Sequence, residues 1–263
     1  MKKISLLLLI GFLLVAVSAS ANTPVRSQSL NGATGLISTP TAHTGWDNSA
    51  FGLDLGVSYL NSDDHHTDTM IFKGTIQLIK GLEVGAAWDN QEGKKDRDIL
   101  AHAKFRFHQD KSTALAIGGN YQHLKSPWRG PDNESWHAEQ IYLAATYNAQ
   151  FFGLPSETTI VVGKSFGSHK YGKNNIDFSM GFELDLLPSI LGGRIRWITD
   201  FANYSYSADP VSVNAAWRGV FNTGARVAIL KDSNLKLNLD FIFTDLLDRN
   251  RDWGATVCFG VAF

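Results

Sequence analysis

The sequence predicts an all-β fold, a transmembrane antiparallel barrel of about 12 strands. Three observations predict it. The chain opens on a short apolar leader, it alternates apolar and polar residues over stretch after stretch, and it closes on one such stretch ending in an aromatic residue.

The leader is "MKKISLLLLIGFLLVAVSASA". Lys2 and Lys3 supply a positive start, residues 4–17 an apolar centre, and Ala19-Ser20-Ala21 the small residues a signal peptidase requires. Residues 1–21 therefore read as a signal peptide cut before Asn22. The apolar run is shorter than the roughly 20 residues of a spanning helix, and no cysteine near the cut marks a lipoprotein. Charge is balanced, 24 Lys+Arg against 25 Asp+Glu, which leaves no basic footprint for nucleic acid. Cys258 is the only cysteine, so an internal disulfide is excluded and a buried or lipid-facing small side chain is expected.

Strand-length alternation begins at Phe51. Phe51, Leu53, Leu55, Val57 and Tyr59 share one face, and Gly52, Asp54, Gly56 and Ser58 the other. Residues 70–78 and 82–89 repeat the pattern, with Ile71 a misfit on the polar face. In "ILAHAKFRFH", Ile99, Ala101, Ala103, Phe105 and Phe107 oppose His102, Lys104, Arg106 and His108. Further strands are expected near 113–124, 138–148, 158–167, 175–186, 193–202, 219–230, 235–245 and 252–263, with "VSVNAAW" a potential extra, so that 10 or 14 strands stay open. A sheet in lipid leaves no backbone group unpaired only if it closes, hence a barrel. Aromatic residues at strand ends (Tyr59, Trp88, Trp197, Trp253, Phe263) fit an interfacial girdle.

The last strand, "DWGATVCFGVAF", puts Trp253, Ala255, Val257, Phe259, Val261 and Phe263 on one face. That ending resembles the insertion signal of bacterial outer-membrane barrels. It implies outer-membrane lipid as surroundings, the barrel-assembly machinery as a partner through Phe263, and the bacterial cell outer membrane as location. Residues 49–263 are assigned to the barrel. Connections such as "NQEGKKDRD" and "KSPWRGPDNESW" are expected outside, and "KG", "QDK", "NAQFFGLPSE", "LPSILGG" and "KDSN" inside.

Residues 22–48 form a lead-in rich in Gly, Thr and Ser. Gly35, Leu36, Ile37, Pro40, Thr41 and Ala42 spell G-L-I-x-x-P-T-A just before the first strand. This resembles the YjbH-type outer-membrane proteins, and the resemblance implies a link with exopolysaccharide production and export. Physically, glycines and Pro40 shape a tight path and the hydroxyls of Thr34, Ser38, Thr39 and Thr41 suit a polar lumen. Two readings are open: a plug or cap at the periplasmic mouth, or an ordered linker.

Lumen-lining charges are expected at Lys104, Arg106, Glu183, Asp185, Arg194 and Arg196, with Lys164 and others of both signs. They either pair between adjacent strands or form separated arcs across a pore. Asp63, Asp64, His65, His66 and Asp68 lack a converging metal geometry. His123, His137 and His169 join no nucleophile motif, so no enzyme, catalytic residue, metal or cofactor is assigned. The functional expectation is a narrow passive conduit or scaffold linked to polysaccharide. Alternatives are a non-conducting barrel with recognition or adhesion loops, where Trp128 and Trp136 stack on sugars, and a lipid-modifying enzyme.

Overall fold

A computed structural model describes residues 25–62, 67–91, 97–125, 135–167, 176–202, 219–231, 233–247 and 252–263. The strands are β1 (Gly52–Ser62), β2 (Thr67–Ile79), β3 (Leu82–Gln91), β4 (Arg97–Gln109), β5 (Thr113–Lys125) and β6 (Ser135–Phe151). They continue as β7 (Leu154–Gly167), β8 (Ile176–Leu186), β9 (Ile195–Ala202), β10 (Val220–Lys231), β11 (Leu235–Thr244) and β12 (Asp252–Ala262). One helical turn, α1 (Pro188–Leu191), joins β8 to β9. Each strand pairs with its sequence neighbours, and β1 pairs antiparallel with β12, so the 12 strands close without an edge. "VSVNAAW" lies outside the described residues.

The alternation decides which face meets lipid. Leu55, Val57, Phe72, Ile76, Phe105, Ile141, Leu143, Phe241 and Phe259 are exposed on the outer wall. Their neighbours Asp54, Lys73, Lys104, Gln140, Asp240 and Thr256 are buried inside. A soluble sandwich has the opposite polarity; this one suits hydrocarbon outside. Aromatic pairs mark the ends of the wall, Tyr59 with Trp253 (6.0 Å between centroids), Phe72 with Trp88 (5.8 Å) and Phe51 with Phe263 (5.8 Å).

Three details differ from the expectation. Lys164 is opposite Ile141, an outward residue, so it stands on the outer face and not in the lumen; β7 counts inward on the odd numbers Thr159 and Val161. "NAQFFGLPSE" is no loop. β6 and β7 extend through it to a two-residue turn in which Phe152 and Gly153 both take positive φ, 50° and 77°, as the twist of a tight hairpin demands. Ile71 is not alone in breaking the polar lining: Leu60, Leu100, Ile198 and Ile242 also point inward and are buried. Cys258 is buried, on the inward side of β12 with Thr256.

Candidate functional site

The lumen is occupied by the chain itself. Residues 25–46 are buried throughout and run inside the barrel. Below, the end carrying the short turns, periplasmic in such barrels, is the turn end, and the other is the loop end.

The segment begins at the turn end. Arg26 pairs with Glu157, near the start of β7, and with Asp47 at 3.1 Å. Asp47 also binds Arg106, near the end of β4. His43 sits among them, its ring nitrogens 3.6 Å from Asp47 and 3.8 Å from Glu157. Burial, then the Arg26 charge, holds the His43 pKa below the usual imidazole value. Asp47 is displaced below the carboxylate range: burial opposes this, and the neighbouring Arg26 guanidinium outweighs it.

From there the chain folds into three short extended pieces joined by two turns. Gln28 bridges Thr34, and Gly35 bridges Pro40. The first turn closes through Ser29 N to the Ala33 carbonyl (2.8 Å), the second through Leu36 N to the Thr39 carbonyl (2.9 Å). The G-L-I-x-x-P-T-A residues are the second turn. A Cβ at Gly35 would collide with the Thr39 carbonyl, so the close approach requires glycine. Ala42 packs on Ala114 and Ala116 of β5 with Tyr142 of β6.

The two turns are held on opposite walls. On one side, Gln28 Nε2 donates to Thr75 Oγ1 (2.9 Å), Lys73 Nζ to the Ser29 carbonyl (3.0 Å), and Thr75 Oγ1 to the Gly32 carbonyl (2.6 Å). Thr34 donates through its backbone N–H (3.0 Å) and hydroxyl (2.8 Å) to Glu83, itself paired with Lys104 at 2.9 Å. Opposite, Asp200 of β9 accepts the backbone N–H groups of Ile37 (3.0 Å), Ser38 (2.7 Å) and Thr39 (2.8 Å). Arg226 of β10 donates to the Gly35 carbonyl at 3.1 Å while paired with Asp240 of β11 at 3.0 Å. The return to β1 is fixed by Lys236 Nζ to the Gly45 carbonyl and to Asp54, both 2.8 Å. Every such bond offsets part of the cost of burying a peptide group.

Leu30 and Ile37 carry the apolar contacts. They join Leu60, Ile71, Ala87, Leu100, Ile198 and Ile242 in one cluster. The inward apolar residues of the strands are thus the seat for the two turns, and an apolar layer of this kind stays dry.

The expected lumen charges pair between neighbouring strands. Arg196 of β9 lies 3.3 Å from Glu183 and 2.6 Å from Asp185 of β8, and no separated arcs form among these groups. Lys104, Arg106, Glu183 and Arg196 are buried. Arg194 precedes β9, at the rim, and donates to the Ile229 carbonyl at 3.0 Å. Sequence reading missed Asp200, Thr75 and Asn222, whose inward positions were legible and whose partners were not, and Glu157, which it left in a turn and which the extension of β7 turns inward. Trp128 and the Trp136 side chain lie outside the described residues, as do residues 63–66 and His169. His123 and His137 face each other in register on the outer wall, away from the lumen. Among the described residues, no group of three His, Cys, Asp or Glu is placed to hold a metal.

No family model and no curated protein matches this chain. Solved structures do. The KdgM porin superposes with a TM-score of 0.50 at 8% identity, covering 80% of this chain and 99% of that one. The NanC porin gives 0.49 at 9% identity over 80% and 98%. Omp33 of Acinetobacter baumannii gives 0.47 at 8% over 82% and 98%. The chain has a porin-like fold. At these identities the likeness extends to the barrel and no further.

Proposed function

We propose that this is a bacterial outer-membrane barrel that rests closed, a scaffold whose conduit opens only when residues 25–46 leave the lumen. One observation carries the reading: the segment is buried along its whole length and tied to opposing walls by Glu83 and Asp200. The apolar exterior supports the membrane location. Entry through the barrel-assembly machinery rests on the Phe263 ending, and cleavage before Asn22 on the leader. A connection with exopolysaccharide rests on the YjbH-type motif alone. The reading assigns no catalytic step.

The test is single-channel conductance of the refolded mature chain in a planar bilayer, beside a version lacking residues 25–46. Silence from the intact protein and discrete steps from the deletion are expected. Steady conductance from the intact protein would overturn the closed state. Silence from a deletion shown to be folded would favour the non-conducting barrel with surface-recognition loops.

A further inference from the structure

Of the short connections at the turn end, two are unlike the rest. Lys80 with Gly81, Asp110 to Ser112, and Ser233 with Asn234 are polar. Asp110 accepts the backbone N–H groups of Ser112 and Thr113, both at 2.7 Å, the usual chemistry of a water-facing turn. The β6–β7 and β8–β9 turns, adjacent because β7 pairs with β8, are apolar instead. Phe152 is 90% exposed and Ile190 68%. Phe152 and Leu187 both hold φ at 50°, a backbone region that suits Gly or Asn and disfavours bulky side chains. A turn built for folding alone would carry those residues, so the apolar tips point to a contact outside the chain.

The tips are continuous with the outer wall. Phe152 packs on Phe151 with ring centroids 4.5 Å apart, Phe151 lies 6.2 Å from Phe182, and Phe182 lies 5.3 Å from Trp197. Phe151, Phe182 and Trp197 stand on the outward side of β6, β8 and β9, so one run of rings leads from the wall to the tip. β7 adds the uncharged Thr158 and Ser156 there, both half-buried. The hairpin also projects at this point. Register partners end at Tyr147 toward β5 and at Ser156 toward β8, so residues 149–155 stand beyond both neighbouring strands.

The opposite ends of the same strands supply an independent observation. Around β12 to β3 the loop end of the wall carries rings, Tyr59, Trp253, Phe72 and Trp88. On β5 to β7 the outward positions at that end are His123, His137, Glu139 and Lys164. Charge on a lipid face is cheap at the interface and costly within the hydrocarbon, so on β6 the hydrocarbon starts past Glu139, at Ile141. A spanning strand needs about 9–11 residues. From Ile141 that span ends between Ala149 and Phe151, at the projecting hairpin. The apolar band on β6 to β8 is therefore set toward the turn end. We infer that the β6–β7 and β8–β9 turns are buried in the periplasmic leaflet of the outer membrane. Phe151, Phe152, Leu187 and Ile190 lie against phospholipid acyl chains there, while the polar turns stay in water and the barrel sits inclined in the bilayer. The inference rests on the membrane reading above.

The test uses the refolded full-length mature protein in phosphatidylcholine vesicles, with Cys258→Ser and one further cysteine substitution that takes a fluorescent label. A phosphatidylcholine with a doxyl spin label on its acyl chain quenches from the hydrocarbon, and iodide quenches from water. Phe152→Cys and Ile190→Cys are compared with Leu143→Cys on the outer wall and Lys111→Cys in a polar turn. Doxyl quenching at the two tips is expected to match Leu143→Cys and to exceed Lys111→Cys at least about threefold, with iodide in the reverse order. Tips quenched as Lys111→Cys is would overturn the inference. Tips shielded from both quenchers would mark a protein contact, such as a second copy of this chain, and would overturn it too. A Leu143→Cys label that escapes doxyl would refute the membrane reading itself, and the inference with it, so the two failures are distinguishable. Should one tip variant not refold, the other decides.

Discussion

Asp200 and Ser38, separated by 162 residues of chain, meet inside the barrel, where one carboxylate oxygen of Asp200 accepts the Ser38 backbone N–H at 2.7 Å. The same oxygen accepts from Ile37 and Thr39, and Asn222 Nδ2 donates to the other at 2.7 Å. Asp200→Ala leaves the three peptide N–H groups of the second turn without an acceptor, a cost of about 3 kcal/mol or more. Proteinase K cleavage between residues 31 and 42, absent from the folded parent, is expected in this variant, with Asp200→Asn intermediate. Equal resistance in all three would show that the anchor is dispensable.

Ile37 presents its side chain to the apolar layer of Leu60, Ile71, Ile198 and Ile242. Ile37→Asp puts a carboxylate where no partner waits, and docking should weaken by several kcal/mol. Ile37→Leu conserves volume and should cost less than about 1.5 kcal/mol. In planar bilayers the first variant should conduct and the second stay silent. Two equally silent variants would argue that polar ties suffice to hold the segment.

Gly35 stands where a Cβ would meet the Thr39 carbonyl and come within 2.9 Å of Pro40 Cα. Both obstacles are backbone, so they cannot rotate away. Gly35→Ala should open the second turn at a cost of about 1–3 kcal/mol, seen as faster hydrogen exchange at Leu36 and Thr41 N–H with strand amides unaffected. Unchanged exchange at these two amides would refute the steric account of the motif.

His43 makes docking sensitive to pH. It lies at the turn end among Arg26, Asp47 and Glu157. Its pKa in the docked segment is lowered, by burial first and Arg26 second, so the released segment binds more protons below the free imidazole value of about 6.5. Its contribution is complete above that pH and is lost as pH falls toward the docked value. Asp47, held low, contributes down to below about 3.8 and does not oppose the change between pH 7 and 5. Opening events should rise as pH is lowered from 7.5 to 5.5. His43→Gln should flatten that dependence, and a slope that survives the substitution would assign it to another group.

The sequence by itself determined the barrel. Alternation with period two is a local property, so the faces of strands such as 51–59 and 235–245 are readable without knowing any contact, and lipid requires the sheet they form to close. The G-L-I-x-x-P-T-A stretch was legible as a distinct turn-forming segment, but plug and linker stayed equal, because the difference lies in what surrounds it. Only the tertiary structure placed Asp200, Glu83 and Thr75 around it, since each comes from a different strand and nothing local pairs them. The misfit at Ile71 became intelligible for the same reason. Inward apolar residues are errors in a water-filled channel and a seat in a filled one, and the filling was supplied by Leu30 and Ile37 from before the first strand.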